Sequence, residues 1–238
     1  MSQHTKCRPV GRARFFGLAI VFISTVTALA TSLDPNPGIF APNSQPYGTS
    51  YADWTTVWWQ WAFSFPADRS PLLDDTGRFA DLGQSGKVWF LCGIFGGSGS
   101  VERKITVPAD KALLFPVYNA VWVNTPQYGD NPWSPEQEAY ARGFVADAVN
   151  QLTSAACEID GRPVKELQDY RFITDEPFLV DFPDNNLFGI AAGTYGPSVT
   201  DGYWLMVKPL SAGRHTIHFR TVSADGSVQD VTYQVHVK

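Results

Sequence analysis

The chain has 238 residues, of which 44% are hydrophobic and only 17% are charged, and its formal net charge is −5. This balance excludes an intrinsically disordered chain, because disorder requires low hydrophobicity together with high net charge. The negative charge also argues against nucleic acid as a partner, since phosphate binding requires a basic surface.

Residues 1–30 have the pattern of a secretory signal peptide. Basic side chains precede an apolar run over residues 15–30, and this run ends in Ala28-Leu29-Ala30, the small-x-small pattern of a cleavage site. The run is shorter than the roughly 20 apolar residues that a membrane span needs, which favours cleavage over an uncleaved N-terminal anchor. We therefore predict a secreted or periplasmic protein with no membrane span after signal cleavage.

A tryptophan-rich helix is predicted after an irregular arm. Residues 31–48 contain prolines without periodicity, as expected of an arm without regular structure. An apolar stripe at spacings of three and four then predicts a helix near residues 50–65, which Pro66 ends. The stripe consists of Tyr51, Trp54, Trp58, Trp61 and Phe65. It favours packing of the helix onto a sheet, with ligand stacking as the alternative.

The remaining patterns predict a mainly β fold with two helices: a single-domain antiparallel β-sandwich over residues 49–238. Ser134 and Gln137 form a capping box that, with Pro135 at the first helical position, opens a second helix predicted over residues 135–156. The sequence GGSGS at 96–100 is interpreted as a hairpin connection, because it lacks the residues of a phosphate-binding loop. Period-two alternation on both sides of Asp225 and Gly226 predicts a C-terminal hairpin.

Two cysteines, Cys92 and Cys157, remain after the signal peptide and form a candidate disulfide. The alternative is a pair of buried free thiols, since sequence alone cannot establish that the two side chains meet.

A candidate ligand site lies in the segment that joins a buried strand to the second helix. Aromatic rings there are interleaved with amides and a carboxylate, a combination suited to small-molecule or carbohydrate-like ligands because rings stack while amides orient. The alternative is that the aromatics pack onto the protein's own core. The candidate ligand-binding residues are Tyr118, Asn119, Trp122, Asn124, Tyr128, Asp130 and Trp133.

No catalytic or metal-binding motif stands out, and no cofactor is predicted. The histidines do not have the spacing of metal ligands, and no nucleophile motif is present. An exported hydrolase or lyase remains an alternative, because a pair of carboxylates needs no sequence signature. Its candidate residues are Asp175, Glu176, Asp181 and Asp201. A structural surface protein, assembled through sheet edges, is a further alternative.

The chain resembles an uncharacterised family of exported bacterial proteins from about residue 47 to its end. The resemblance lies in the segments WTTVWWQWAFSFP, KVWFLCGIFGG, ITVPADKALLFPVYN and DGYWLMVKPLSAGRHTIHF. It implies export and one shared fold. Because these motifs are structural, the resemblance supplies no activity and no catalytic residue.

Overall fold

The computed structural model describes residues 1–2, 34–126 and 132–238. The predicted signal peptide and two of the candidate ligand-binding residues, Tyr128 and Asp130, lie outside this part. Within it, no helix has the length and apolar character needed to cross a membrane.

The described chain is mainly β with two helices, as predicted. The helices are α1 (Tyr51–Phe63) and α2 (Pro135–Asn150). The strands are β1 (Val88–Phe90), β2 (Gly99–Val107), β3 (Ala112–Val123), β4 (Leu152–Ile159), β5 (Arg162–Pro163), β6 (Arg171–Ile173), β7 (Phe178–Phe182), β8 (Gly193–Val207), β9 (Gly213–Ser223) and β10 (Val228–Val237).

These strands form two five-stranded sheets. The first has the order β1-β3-β8-β6, with β7 also paired to β8, and the second has the order β2-β10-β9-β4-β5. Their buried faces share one core, in which Phe115 of the first sheet stacks on Phe219 of the second with ring centroids 5.3 Å apart. The sandwich prediction is confirmed. Most pairs are antiparallel, but β1 with β3 and β2 with β10 run parallel.

Helix α1 follows its predicted pattern. Ser50 caps it by accepting a hydrogen bond from the backbone of Asp53 at 3.1 Å. Trp58 is almost fully buried, donates its indole N–H to the carbonyl of Leu91, and packs edge-on against Trp204 of β8. The tryptophan stripe therefore attaches the helix to the first sheet, as its preferred interpretation predicts.

Helix α2 begins as predicted, but its predicted end near residue 156 is wrong. Ser134 caps the helix by accepting from the backbone of Gln137, and the helix ends at Asn150. Residues 152–159 instead form β4, which pairs with β9. The apolar spacing continues past residue 150, but pairing with a neighbouring strand outweighs this local preference.

The glycine-rich segment at 96–100 is not the predicted hairpin connection. β1 belongs to the first sheet and β2 to the second, so residues 91–98 cross from one sheet to the other. Gly96 and Gly97 both have positive φ, which glycine adopts without steric cost. We call residues 91–98 the crossover segment.

The candidate disulfide is not formed, and the alternative of two free thiols holds. Cys92 and Cys157 are both unpaired and buried. Cys92 lies in the crossover segment, where its backbone N–H bonds the hydroxyl of Tyr233 on β10. Cys157 lies on β4, and β9 separates β4 from β10. The two residues therefore belong to different parts of the core.

Candidate functional site

A cavity of about 640 Å³ opens where three parts of the described chain meet. Its first wall is the second half of β3, its second wall is the outer face of α2, and its third combines the crossover segment with the β9–β10 turn. A volume of this size is typical of small-ligand sites.

The β3 wall contains every residue from Tyr118 to Val123, followed by Thr125. Side chains of a strand alternate between faces, so a cavity lined by consecutive residues runs along the edge of the strand. Among the described strands none covers that edge, because β1 pairs with β3 only from Ala112 to Leu114.

The α2 wall is aromatic and exposed. Tyr140 and Phe144 pack edge-on against Trp122, with ring centroids 5.5 Å and 5.2 Å from it. Trp122 is only 8% exposed, whereas Tyr140 is 61% and Phe144 50% exposed. The buried tryptophan therefore positions two rings whose outer faces remain accessible to a ligand.

The third wall carries the charge of the site. Asp225, in the β9–β10 turn, is the only charged residue among the described residues that line the cavity. It accepts hydrogen bonds from the backbone and hydroxyl of Ser227 at 2.9 and 2.7 Å, and these bonds lower its pKa. The carboxylate is therefore ionised at neutral pH, and the cavity is slightly negative.

Tyr118 joins the β3 wall to the β9–β10 turn. Burial and the nearby carboxylate of Asp225 raise its pKa, and a hydrogen bond with Ser223 only partly offsets this increase. The phenol is therefore neutral at physiological pH. It can present a hydroxyl to a ligand at the polar end of the cavity.

Two polar atoms in the β3 wall have no hydrogen-bond partner among the described residues. They are the side-chain nitrogen of Asn119 and the hydroxyl of Thr125, and both atoms are buried. A buried polar group without a partner is uncommon, because losing its contact with water costs free energy. A ligand in the cavity could satisfy both groups.

The structure brings together only part of the predicted ligand site. Tyr118, Asn119 and Trp122 line the cavity, whereas Asn124 does not: its backbone bonds Gly196 and Pro197. Trp133 is half-buried and packs beside Trp122 against α2. Trp122 is itself largely buried, so the alternative of packing onto the protein's own core also applies in part.

Sequence reasoning missed most of the cavity lining, including Tyr140, Phe144, Phe95 and Asp225. Tyr140 and Phe144 recur at a spacing of four, as residues of a packed helix face do, but the buried face of α2 is Ala141, Val145 and Val149. Ala141, Val145 and Val149 also recur at a spacing of four, and this spacing was the only sequence pattern that could have identified them as the buried face. Phe95 and Asp225 reach the cavity through tertiary contacts that have no local signature.

The carboxylates proposed for catalysis do not line this cavity. Asp201 is fully buried, and both of its oxygens accept from Arg171, at 3.0 and 2.6 Å. Asp181 accepts from the hydroxyl of Thr194. Asp175 and Glu176 are exposed in the β6–β7 loop. In the described chain, no group of three or more histidine, cysteine or acidic residues is arranged to hold a metal ion.

Comparison with known proteins finds no matching family, no similar curated protein and no similar solved structure.

Proposed function

We propose that this protein is an exported ligand-binding protein, and that its ligand occupies the aromatic cavity between β3, α2 and the crossover segment. The ligand that suits this lining has a flat apolar face, as carbohydrate-like compounds and small aromatic molecules have, together with groups that can hydrogen bond. Catalysis is not part of the proposal.

The observation that carries the proposal is the pair of exposed rings on α2. Tyr140 and Phe144 are held by Trp122 at the mouth of a cavity that also contains two unpartnered polar atoms. Exposing large aromatic side chains to water is unfavourable in the absence of a partner, so exposed aromatic groups often mark binding sites. The open ring faces offer stacking, and the polar atoms offer orientation.

The proposal is tested with the double variant Tyr140→Ser/Phe144→Ser. Glycans and small aromatic compounds are first screened for a rise in the melting temperature, because a ligand that binds only the native state stabilises it. The best compound is then measured by calorimetry. Losing both ring faces should weaken its binding at least tenfold, which is about 1.4 kcal/mol.

The matched control is Tyr47→Ser, since Tyr47 is also an exposed ring, 45% accessible, but does not line the cavity. It should leave the affinity unchanged. If the double variant binds the compound as tightly as the wild type does, the cavity is not the binding site and the proposal is wrong.

A further inference from the structure

We propose that the ligand of this cavity is an extended peptide, which adds a strand to the open edge of β3 over Asn119–Val123. This inference deepens the proposed function and rests on it, because it uses the same cavity. It keeps the apolar face and the hydrogen-bonding groups that the proposed function requires of the ligand, but assigns them to a short polypeptide segment of neutral or basic character in place of a carbohydrate-like or small aromatic compound.

The first step is that, in the part of the chain that the structure describes, β3 has a neighbouring strand on only one side over this stretch. β8 pairs with β3 over its length, up to Val123 opposite Ser198, while β1 leaves the other side after Leu114. The chain then turns into the crossover segment, where the backbone of Cys92 bonds Tyr233 of the second sheet. The cavity therefore occupies the position that a longer β1 would fill.

The second step is the direction of the backbone groups along this edge. Hydrogen-bonded and non-hydrogen-bonded pairs alternate in an antiparallel ladder. Asn124 bonds the β8 side, donating to Pro197 and accepting from Gly196. Thr200, opposite Val121, instead directs its backbone groups to Thr174, away from β3.

It follows that the odd-numbered residues of this edge direct their backbone groups into the cavity. Asn119, Val121 and Val123 each present an N–H and a C=O there, and none of these groups has a partner among the described residues. Main-chain groups arranged in this way are the template for strand addition. A sugar or a small aromatic molecule would not match their regular spacing.

The third step is that, among the described residues, none gives this edge the usual protection against pairing. Exposed edges are commonly blocked by charged side chains or covered by loops. The outer edge strand of the second sheet, β2, carries exposed Glu102 and Lys104, and the backbone of Lys104 bonds the loop at Thr76. The sequence Asn119–Val123 has no charged residue.

The two faces of the added strand would meet different walls. Trp122 lies on the face that contacts Tyr140 and Phe144, whereas Val121 lies opposite Thr200, which accepts a hydrogen bond from Trp59 on the other face. Alternate side chains of the peptide would therefore reach aromatic surface on both faces. The carboxylate of Asp225 favours a neutral or basic segment over an acidic one.

The test is a displayed library of random seven-residue peptides, selected on the wild type and on Val121→Pro. The proline removes an N–H that faces the cavity and places its ring in the path of an added strand, while the ladder to β8 stays intact. The selected peptides should be retained at least ten times more strongly by the wild-type protein than by Val121→Pro. Retained peptides should also slow amide exchange at Asn119, Val121 and Val123.

The matched control is Ala120→Pro, which removes an N–H directed to β8 and should lower the melting temperature more than Val121→Pro does. The exchange measurement uses wild-type protein only, so it decides the question even if Val121→Pro does not fold. No protection at these three amides would overturn the inference.

Three other outcomes would also overturn it. Equal retention of peptides by the wild type and Val121→Pro, with loss in Tyr140→Ser/Phe144→Ser, would leave the cavity as a ligand site without strand addition. If no peptide is retained but a glycan or aromatic compound binds, the cavity is again a ligand site without strand addition. Concentration-dependent dimerisation that Val121→Pro abolishes would identify a second copy of the chain as the occupant. If Tyr140→Ser/Phe144→Ser weakens the binding of no peptide, glycan or aromatic compound, the proposed function itself is wrong.

Discussion

Arg103 is a charged side chain in the core, only 2% exposed. Its guanidinium donates to the carbonyls of Asp74, Cys92 and Gly93 and to the hydroxyl of Tyr233, at 2.6 to 3.1 Å. The side chain thus fixes the start of the crossover segment, which forms one wall of the cavity. Because the contacts use a planar fork of donors, a lysine cannot replace them.

Arg103→Lys should therefore lower the free energy of unfolding by about 3 kcal/mol, because it leaves buried acceptors without donors. Urea unfolding measures the loss. Lys104→Arg on the exposed face of the same strand is the control and should change stability by less than about 0.5 kcal/mol. If Arg103→Lys also lowers the free energy of unfolding by less than about 0.5 kcal/mol, the hydrogen bonds of the guanidinium contribute little to stability.

At the scale of elements, an ion pair joins the start of β9 to the β4–β5 turn. His215 Nδ1 lies 2.7 Å from Asp160, and its Nε2 lies 2.9 Å from the carbonyl of Ser211, as expected for a histidine that follows a turn. Burial lowers the pKa of His215, but the bonds to Asp160 and Ser211 outweigh it and raise the pKa. Burial raises the pKa of Asp160, and its bonds to His215 and Thr216 outweigh that effect and lower it.

The pair should make stability depend on pH in a defined direction. A raised histidine pKa stabilises the fold below its unfolded value of about 6.5, and this stabilisation is lost as pH rises through the folded value. A lowered aspartate pKa stabilises the fold above about 3.9, and this is lost as pH falls through the folded value. His215→Gln should therefore destabilise the protein most between pH 4 and 6.5, and least above pH 8.

Urea unfolding of the wild type and His215→Gln across pH 4 to 9 checks this expectation. Asp160→Asn removes the other partner of the ion pair. The difference in unfolding free energy between this variant and the wild type should also be smallest at high pH. Parallel curves for the wild type and His215→Gln over the whole range would show that the pair does not couple protonation to folding.

The elements also show how far sequence reasoning reaches. Helix α1 and the hairpin of β9 and β10 were predictable, because each has a complete local pattern together with its cap or turn. The end of α2 was not, since residues 152–156 fit a helix locally and become a strand only by pairing with β9. In the candidate site, Tyr118, Asn119 and Trp122 were found because aromatic and amide residues are interleaved in one continuous segment of the sequence. Asp225 was not, because only the packing of two sheets brings it to the cavity.

On the scale of the whole molecule, the two buried cysteines report on the integrity of the sandwich. Cys92 and Cys157 are each 2% exposed, and both belong to the main core. Burial raises the pKa of Cys92 to about 12, although the charge of Arg103 opposes it, and burial also raises the pKa of Cys157. Neither thiol forms a reactive thiolate at neutral pH.

In a chain that begins at residue 31, a thiol reagent at pH 8 should therefore label neither cysteine in the native state and both after denaturation. With a single core, the two sites should become labelled at the same rate in intermediate urea, because both need global unfolding. Mass spectrometry of the labelled peptides measures the two rates separately. Faster labelling of one cysteine would show that part of the sandwich opens alone, and a species that resists labelling even when denatured would reveal a disulfide.

The parallel pairing of β2 with β10 has a consequence for biosynthesis. It joins Gly99–Val107 to Gln229–Val237, so the second sheet lacks one of its pairs until β10 has been synthesised. Contacts this distant along the chain form slowly. A nascent polypeptide that has not yet produced β10 therefore stays incompletely folded, and the sandwich is complete only after this strand has paired with β2.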